Sequence, residues 1–285
     1  MNGRRRMSGP KLKTAFVKVG LGALTAFVVF IALFPLLWFA PIAFKPQVLA
    51  WAMPPKFIFV PTFENFLHVF RNMPNFIPAF KNSLIISIFT TGISLYLGMT
   101  AGYALARSHF RMTKYMGIWI ILTRMAPPMI FLLPFYIGLR ALHLIGTFVG
   151  VIFTYMVITL PFVTWMMASY FRTIPEEIEQ SAMIDGCNRI QILFQITAPV
   201  SLPAIVTCMI FSFIYSWNEF LFALIVTGRN TKTVSILITG FTMASEGIQW
   251  GPMAATSLMI ILPVLIMAMV NQKGFVRGLI GGAIK

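Results

Sequence analysis

A run of 26 residues without a charged side chain, from Val19 to Phe44, places the strongest constraint on this chain. An α-helix rises about 1.5 Å per residue, so the run is long enough to cross the roughly 30 Å hydrocarbon core of a bilayer. Similar apolar stretches recur along the sequence, and only 10% of its 285 residues are charged. Soluble domains carry about a quarter charged residues. The sequence therefore predicts an all-α, polytopic membrane protein.

Five further apolar segments bring the predicted number of transmembrane helices to six. The third of the six predicted spans contains Arg124 and two consecutive prolines, which makes it the least regular. Glycines in the second (Gly92, Gly98 and Gly102) permit close approach of a neighbouring helix. The second span is predicted between Lys81 and Arg107, and the third follows the basic turn at 107–114 and reaches Arg140. The remaining three run from Thr147 to Tyr170, from Pro203 to Val226, and from Trp250 to Asn271.

Basic residues predict the orientation. With six spans and both termini in the cytoplasm, fourteen Lys and Arg side chains fall inside and seven outside, as the positive-inside rule requires. The net charge of +15 then reflects loops near anionic lipid rather than nucleic acid. We expect one transmembrane domain, 1–285, with a basic cytoplasmic arm (1–18), an extracytoplasmic segment (45–80), a cytoplasmic loop (172–203) and a cytoplasmic tail (271–285).

Two details of the first 80 residues follow from the same patterns. A cleaved signal peptide is the alternative for the first apolar run, because Ala50-Trp51-Ala52 is loosely Ala-x-Ala. The run exceeds the usual 7–15-residue apolar region of such peptides, so we favour a retained span. In the extracytoplasmic segment, one helical face suits the membrane interface; it carries Phe63, Phe66, Leu67 and Phe70.

The loop 172–203 is the longest polar segment, and it holds four of the seven acids. Pro175, followed by Glu176 and Glu177, suits the first turn of a helix, where the dipole favours negative charge. Gly186 suits its end, because glycine readily takes the left-handed conformation. We predict an apolar stripe on this helix, formed by Ile174, Ile178, Ala182 and Met183, and a second amphipathic helix containing Ile190, Leu193, Phe194 and Ile196.

At these residues the chain resembles the permease subunits of binding-protein-dependent ABC importers. Gln180-Ser181-Ala182, Gly186, Ile196 and Pro199 stand at the spacing of the EAA signature, EAA-x3-G-x9-I-x-LP. Three positions depart from it, because Gln180 replaces Glu, Ser181 replaces Ala and Ala198 replaces Leu. The run from Pro175 to Gly186, the run Trp-Asn-Glu-Phe at 217–220 and the tail resemble the carbohydrate branch, and within it the smaller, maltose-permease-like subunit.

The resemblance implies a type I importer fold in which residues 176–198 form a coupling element that docks on a cytoplasmic ATPase. An amphipathic loop on the membrane surface is the alternative. The resemblance also implies a second permease, giving a heterodimer, two ATPase subunits that bind ATP and Mg²⁺, an extracytoplasmic solute-binding protein, and location in a bacterial inner membrane. The residues implied in ATPase coupling are Glu177, Glu179, Gln180, Ser181, Ala182, Asp185, Gly186, Ile196 and Pro199.

Ionisable and polar residues within spans are candidates for the solute path. Arg124 and Glu219 are the two ionisable residues predicted inside spans, and we leave open whether they pair with each other or are satisfied separately. On a continuous helix, the fifth span would present one face of small and polar residues at Ser212, Ser216, Glu219 and Ala223. Such groups beside aromatic rings suit a sugar. A neutral, polyhydroxylated solute is favoured, since an acid lining the path repels anions. The predicted path residues are Tyr215, Ser216, Asn218 and Glu219.

Few residues are placed for catalysis. The chain has three histidines and two cysteines, none at metal-ligand or catalytic spacing. It also lacks a phosphate-binding loop with a lysine, so we predict no ATPase site, no metal and no cofactor in this chain. Two rivals remain: an ABC importer for a peptide or polyamine, and a stand-alone secondary transporter, which would show inverted repeats.

Overall fold

A computed structural model describes residues 9–50, 52–108, 110–241 and 248–283, with the side chains of 9–16, 114 and 271–283 left undescribed. The regular structure in these ranges is helical, which confirms the all-α prediction. The helices are α1 (Gly9–Ala43), α2 (Glu64–Asn72), α3 (Phe76–Arg107), α4 (Arg111–Met125), α5 (Pro128–Ala141), α6 (Phe148–Phe171), α7 (Glu176–Ile184), α8 (Arg189–Val200), α9 (Leu202–Asn218), α10 (Leu221–Val226), α11 (Val234–Leu237) and α12 (Trp250–Ala283).

Four described helices are long and apolar enough to cross a membrane: α3, α6, the Val17–Ala43 part of α1 and the Trp250–Val270 part of α12. Two pairs of helices have the required composition but are bent, α4 with α5 by 98° and α8 with α9 by 85°. Counting each bent pair as one span gives six, the predicted number. Thr147 caps α6 with its side chain, which accepts a hydrogen bond from the Gly150 amide.

The third predicted span is not one continuous helix. Ala126 and Pro127 have extended backbones, with ψ angles of 131° and 130°. A residue that precedes proline is sterically driven out of the helical region, and both residues precede one. The paired prolines therefore divide this segment into α4 and α5.

The fifth predicted span, Pro203 to Val226, is broken as well. Helix α9 ends at Asn218, Glu219 is extended with a ψ of 130°, and α10 begins at Leu221. The predicted polar face over Ser212, Ser216, Glu219 and Ala223 assumed unbroken helical spacing. It does not exist as one face, because the break changes the direction of the chain after Ser216.

The chain divides into two compact units. The first comprises Met1–Val69 with Gln249–Leu258. Its core is formed by Ala43, Ala254 and Ala255. The Asn65 amide donates to the carbonyl oxygens of Ala43 at 2.9 Å and Lys45 at 2.7 Å, so it fixes the chain where α1 ends. On α2, the aromatic face predicted to lie at the interface is largely exposed, while Asn65 and Val69 are buried.

The second unit, Phe70–Ile248 with Met259–Lys285, is built around α3, α6 and α9. Glycines bring α3 and α6 together: Gly98 lies against Val163, and Gly102 lies against the backbone of Ala168. Both contacts advance in the same direction along the two helices, so α3 and α6 run parallel. Gly92, which the sequence grouped with these glycines, faces open space.

Candidate functional site

The segment from Pro175 to Val200 forms two short helices around Gly186, as predicted. Pro175 is the N-cap of α7, and Glu176, Glu177 and Glu179 occupy its first turn. Gly186 ends the turn with a φ of +89°, in the left-handed region that favours glycine. The local sequence therefore determines where α7 begins and where the chain reverses.

Helix α8 begins with a capping box that was not predicted from the sequence. The Asn188 side chain accepts from the Gln191 amide at 2.9 Å, and the Gln191 side chain accepts from the Asn188 amide at 2.8 Å. The spacing of these two residues was the available signal. The middle of α8, Ile192–Thr197, is a π-helix, a local widening that is common at functional sites.

The predicted apolar stripe on α7 is only partly correct. Ile174 and Ala182 are buried, as expected, but Ile178 is 43% exposed and Met183 is 37% exposed. The remaining buried position belongs to Glu179, whose side chain is 2% exposed. Helix α7 is therefore rotated relative to the stripe, because burying Glu179 provides hydrogen bonds that an apolar side chain at this position could not form.

Four donors hold the Glu179 carboxylate. Arg107 donates to Oε1 through Nε at 3.0 Å and Nη2 at 2.9 Å, and Thr197 donates to the same oxygen at 3.1 Å. The Tyr103 hydroxyl donates to Oε2 at 2.8 Å. Burial alone would raise the pKa of Glu179, but the hydrogen bonds from Arg107 and Tyr103 outweigh it, and the pKa lies below the ordinary value. The side chain is therefore an anion at neutral pH.

The predicted coupling residues divide between two faces of the segment. Glu179 and Ala182 point inward, and Ile196 is half-buried, so these three support the segment rather than offer it to a partner. The outer face is apolar at its centre, with Ile184 at 87% and Ile190 at 70% exposure. The exposed members of the predicted set are Glu177, Gln180, Ser181, Asp185, Gly186 and Pro199.

The predicted path residues also divide. Tyr215, 43% exposed, and Asn218, also exposed, lie one turn apart on α9. Ser216 is 4% exposed, and its hydroxyl donates back to the Ser212 carbonyl at 2.9 Å. In this conformation it offers almost no surface to a solute, in contrast to Tyr215 and Asn218.

The Glu219 carboxylate caps a helix. It accepts from the Phe222 amide at 3.0 Å and from the Ala223 amide at 2.9 Å, both in the first turn of α10. Negative charge at a helix N-terminus is favourable. The Ser235 hydroxyl also donates to the Glu219 carbonyl at 2.7 Å. The break between α9 and α10 is thus stabilised by the acid that stands at it.

Arg124 is satisfied separately from Glu219. Its guanidinium lies 4.9 Å from the centre of the Phe162 ring, a cation–π contact. Within the part of the chain that the structure describes, Arg124 and Glu219 do not form an ion pair with each other. The Tyr215 ring packs edge-on against the same Phe162 at 6.1 Å. Phe162 therefore contacts both Arg124 and Tyr215. It was not among the residues predicted from the sequence.

The described residues contain no group of three or more His, Cys, Asp or Glu side chains that could hold a metal ion. Cys187 and Cys208 are both free thiols, the second fully buried.

The fold and the polar segment together define a polytopic membrane protein with a two-helix polar element from Pro175 to Val200. Residues 94–273 match the family of binding-protein-dependent transport system inner membrane components, and the chain belongs to this family. It is 32% identical over 257 residues to the trehalose/maltose transport system permease protein of Thermococcus litoralis, covering 90% of this chain and 92% of that one.

A second relative is the trehalose transport system permease protein of Mycobacterium tuberculosis. It is 32% identical over 266 residues, which cover 92% of this chain and 96% of the relative. Among solved structures, the chain shares the fold of a subunit of a bacterial ABC transporter involved in the import of the acidic polysaccharide alginate. The TM-score is 0.74 at 20% identity, with 95% of this chain and 99% of the other covered.

Proposed function

We propose that this chain forms one half of the translocation pathway of an ATP-driven, binding-protein-dependent importer for a sugar, sugar derivative or polyol. The observation that carries the proposal is the exposed apolar centre of the Pro175–Val200 segment, which is held in place from behind by the buried Glu179. The two relatives are permease proteins of trehalose/maltose and trehalose transport systems, which supports the solute class.

The outer face of the segment is suited to a protein partner. Ile184 and Ile190 stand on either side of the Gly186 turn and are largely exposed. Burying apolar surface is worth about 25 cal/mol per Å², and a rim of polar residues is typical of a specific interface. We assign this face to a cytoplasmic ATPase subunit, with Glu177, Gln180, Ser181 and Asp185 at the rim.

The same assignment gives the remaining partners. Two ATPase subunits bind ATP and Mg²⁺, so this chain holds no cofactor and catalyses no reaction of its own. A second, distinct permease completes the pathway, and an extracytoplasmic binding protein delivers the solute. The assembly lies in a bacterial inner membrane with both termini of this chain in the cytoplasm. Closure of the ATPase dimer on ATP moves the docked segments, and the pathway opens outward.

The solute path is assigned to the exposed groups beside Phe162. Tyr215 and Asn218 share one face of α9, and Arg124 lies over Phe162. Sugar hydroxyls need donors and acceptors, whereas their C–H faces pack on aromatic rings. The preference for a neutral solute rested on a free Glu219 carboxylate. Because that carboxylate is engaged by the α10 amides, we propose a carbohydrate or polyol without restricting its charge.

The docking assignment is tested by replacing Ile184 with aspartate and measuring co-purification of the ATPase with the permease complex. A charge at this 87% exposed position adds no strain to the fold but must be desolvated on docking. The matched control is Ile58→Asp, the same change at an isoleucine that is 96% exposed in the predicted extracytoplasmic segment. We expect capture to be lost only in the first variant; equal capture by both would refute the assignment.

The solute assignment is tested by ATP-driven uptake in vesicles that contain the complete importer, with mono- and disaccharides, polyols, oligopeptides and polyamines as competitors. We expect a carbohydrate or polyol to compete, and Tyr215→Ala and Asn218→Ala to reduce uptake while the buried Ser216→Ala does not. Competition by peptide or polyamine alone would favour another importer class. Uptake driven by a proton or sodium gradient without ATP would favour a secondary transporter.

A further inference from the structure

We infer that Glu179 is a positioning residue that ties the docking segment to α3, so that α3, α7 and α8 move as one body when the ATPase moves. The inference rests on the proposed function, because it concerns how motion at the docking face reaches the membrane. It differs from a contact role for Glu179, since this side chain is 2% exposed and has no surface left for a partner.

The Glu179 carboxylate joins three helices, and its hydrogen bonds to Arg107, Tyr103 and Thr197 are called the tie below. Glu179 belongs to α7, Tyr103 and Arg107 belong to the last turns of α3, and Thr197 belongs to α8. Tyr103 and Arg107 are four residues apart and therefore lie on the same face of α3. The Arg107 guanidinium also donates to the Ile174 carbonyl at 3.0 Å, which holds the chain just before α7. The tie thus fixes both the position and the rotation of a helix of only nine residues.

Apolar contacts alone would not fix α7 in this way. Ile174, Ala182, Ile192 and Leu193 pack in the same buried cluster as Tyr103, but such contacts are non-directional and tolerate sliding. The hydrogen bonds from Arg107 and Tyr103 are charge-assisted and directional, and they are shielded from water. Helix α7 therefore cannot rotate or shift along α3 without uncovering a buried charge.

The tie continues into the transmembrane helices. Gly102, directly before Tyr103, and Gly98, about one turn earlier, bring α3 into direct contact with α6. Close packing of this kind transmits displacement, because the interior is not compressible. A push on the outer face of α7 is therefore passed through Glu179 to α3 and from α3 to α6.

The test compares Glu179→Gln with Glu176→Gln in the complete importer. Glu176 is a matched control in the same helical turn: its side chain is 47% exposed and comes only within 3.9 Å of Arg107. The measurements are ATPase co-purification, basal ATPase rate, stimulation by the solute-loaded binding protein, and solute transported per ATP hydrolysed. A merely structural role would lower assembly and all rates together. A positioning role lowers only the stimulation by the binding protein and the transport per ATP.

We expect Glu179→Gln to assemble and hydrolyse ATP, with stimulation and transport per ATP reduced by about fivefold or more, the usual lower range of coupling between sites. Glu176→Gln should match the unmodified protein. Unchanged transport per ATP in Glu179→Gln overturns the tie. If that variant does not assemble, Tyr103→Phe decides, because it removes one hydrogen bond and no volume: reduced coupling supports the tie, and unchanged coupling overturns it.

The outcomes separate this inference from the proposed function. If the unmodified complex captures no ATPase, or Ile184→Asp captures it normally, the docking assignment itself is wrong. If the unmodified complex captures the ATPase and Ile184→Asp does not, while Glu179→Gln transports normally, only the tie is wrong.

Discussion

Glu179 and Glu219 are two acids in apolar surroundings, and each is held by donors of the chain itself. Glu179 accepts from Arg107, Tyr103 and Thr197, and Glu219 accepts from the amides of Phe222 and Ala223. The sequence could mark Glu219 as unusual, because an acid inside an apolar span is costly unless it is satisfied, but it could not mark Glu179, which lies in a segment with three other acids. It could not supply the partners, since Arg107 lies 72 residues from Glu179.

The lowered pKa of Glu179 predicts how its contribution to stability depends on pH. A carboxyl group whose pKa is depressed by folding stabilises the protein fully above its unfolded pKa, and this contribution is lost as the pH falls through the folded pKa. The unfolded value is near 4.5, and the folded one lies below it. We expect the thermal stability difference between the unmodified permease and Glu179→Gln, in detergent, to be constant from pH 7 to pH 5 and to shrink below pH 4.5. A difference that grows with acid would contradict this sign.

Gly186 allows a second prediction about a single residue. A side chain there meets no neighbouring atom, but the φ of +89° is unfavourable for any residue with a Cβ. Gly186→Leu should cost about 1–2 kcal/mol locally and redirect α8, so transport and ATPase stimulation fall while membrane insertion stays normal. Gly186→Asn is the control, because asparagine tolerates left-handed conformations better. Transport by the leucine variant at the unmodified rate would show that the turn is not needed.

At the level of whole helices, apolar length and local end signals predicted α1, α3, α6, α7 and α12 to within a few residues at most ends. They failed where a tertiary or steric constraint interrupts an apolar run. Ala126 is extended because two prolines follow, and Glu219 is extended because its carboxylate caps the next helix. The rotation of α7 was likewise missed, because hydrophobic periodicity treats a glutamate as exposed.

The packing of α3 on α6 predicts different costs for two glycines of one helix. Gly102→Ala would place a Cβ 2.9 Å from the Ala168 amide nitrogen, a backbone atom that cannot move aside. We expect this variant to lose about 1–3 kcal/mol, the usual cost of overpacking. Gly92→Ala, with nothing within 4 Å, should be neutral or stabilising. Thermal unfolding of both purified variants checks the order, and equal effects would mean that α3 and α6 do not pack through Gly102.

For the whole molecule, the bent pair of α4 and α5 decides on which side of the membrane each later segment lies. If α4 with α5 forms one span, Leu142 lies outside and the docking segment lies inside. If that pair only entered and left the same face, both positions would exchange sides and α6 would run antiparallel to α3, whereas the contacts of Gly98 and Gly102 show the two helices parallel. The positive-inside rule favours the first arrangement, because six spans leave twice as many basic residues inside as outside. An ATPase in the cytoplasm requires it as well.

Labelling of single cysteines by a membrane-impermeant thiol reagent tests this topology. In a Cys187→Ser background, Leu142→Cys and Ile184→Cys introduce thiols at positions that are 68% and 87% exposed, while Cys208 stays buried. In intact cells with a permeabilised outer membrane, if one is present, we expect labelling of Leu142→Cys and not of Ile184→Cys. In inside-out vesicles from cells that express the permease without its ATPase, which leaves the docking face uncovered, the pattern should reverse, because a span formed by α4 and α5 places the two positions on opposite faces. Labelling of Ile184→Cys from outside would show that α4 and α5 do not cross the membrane together, and the docking face could not meet a cytoplasmic ATPase.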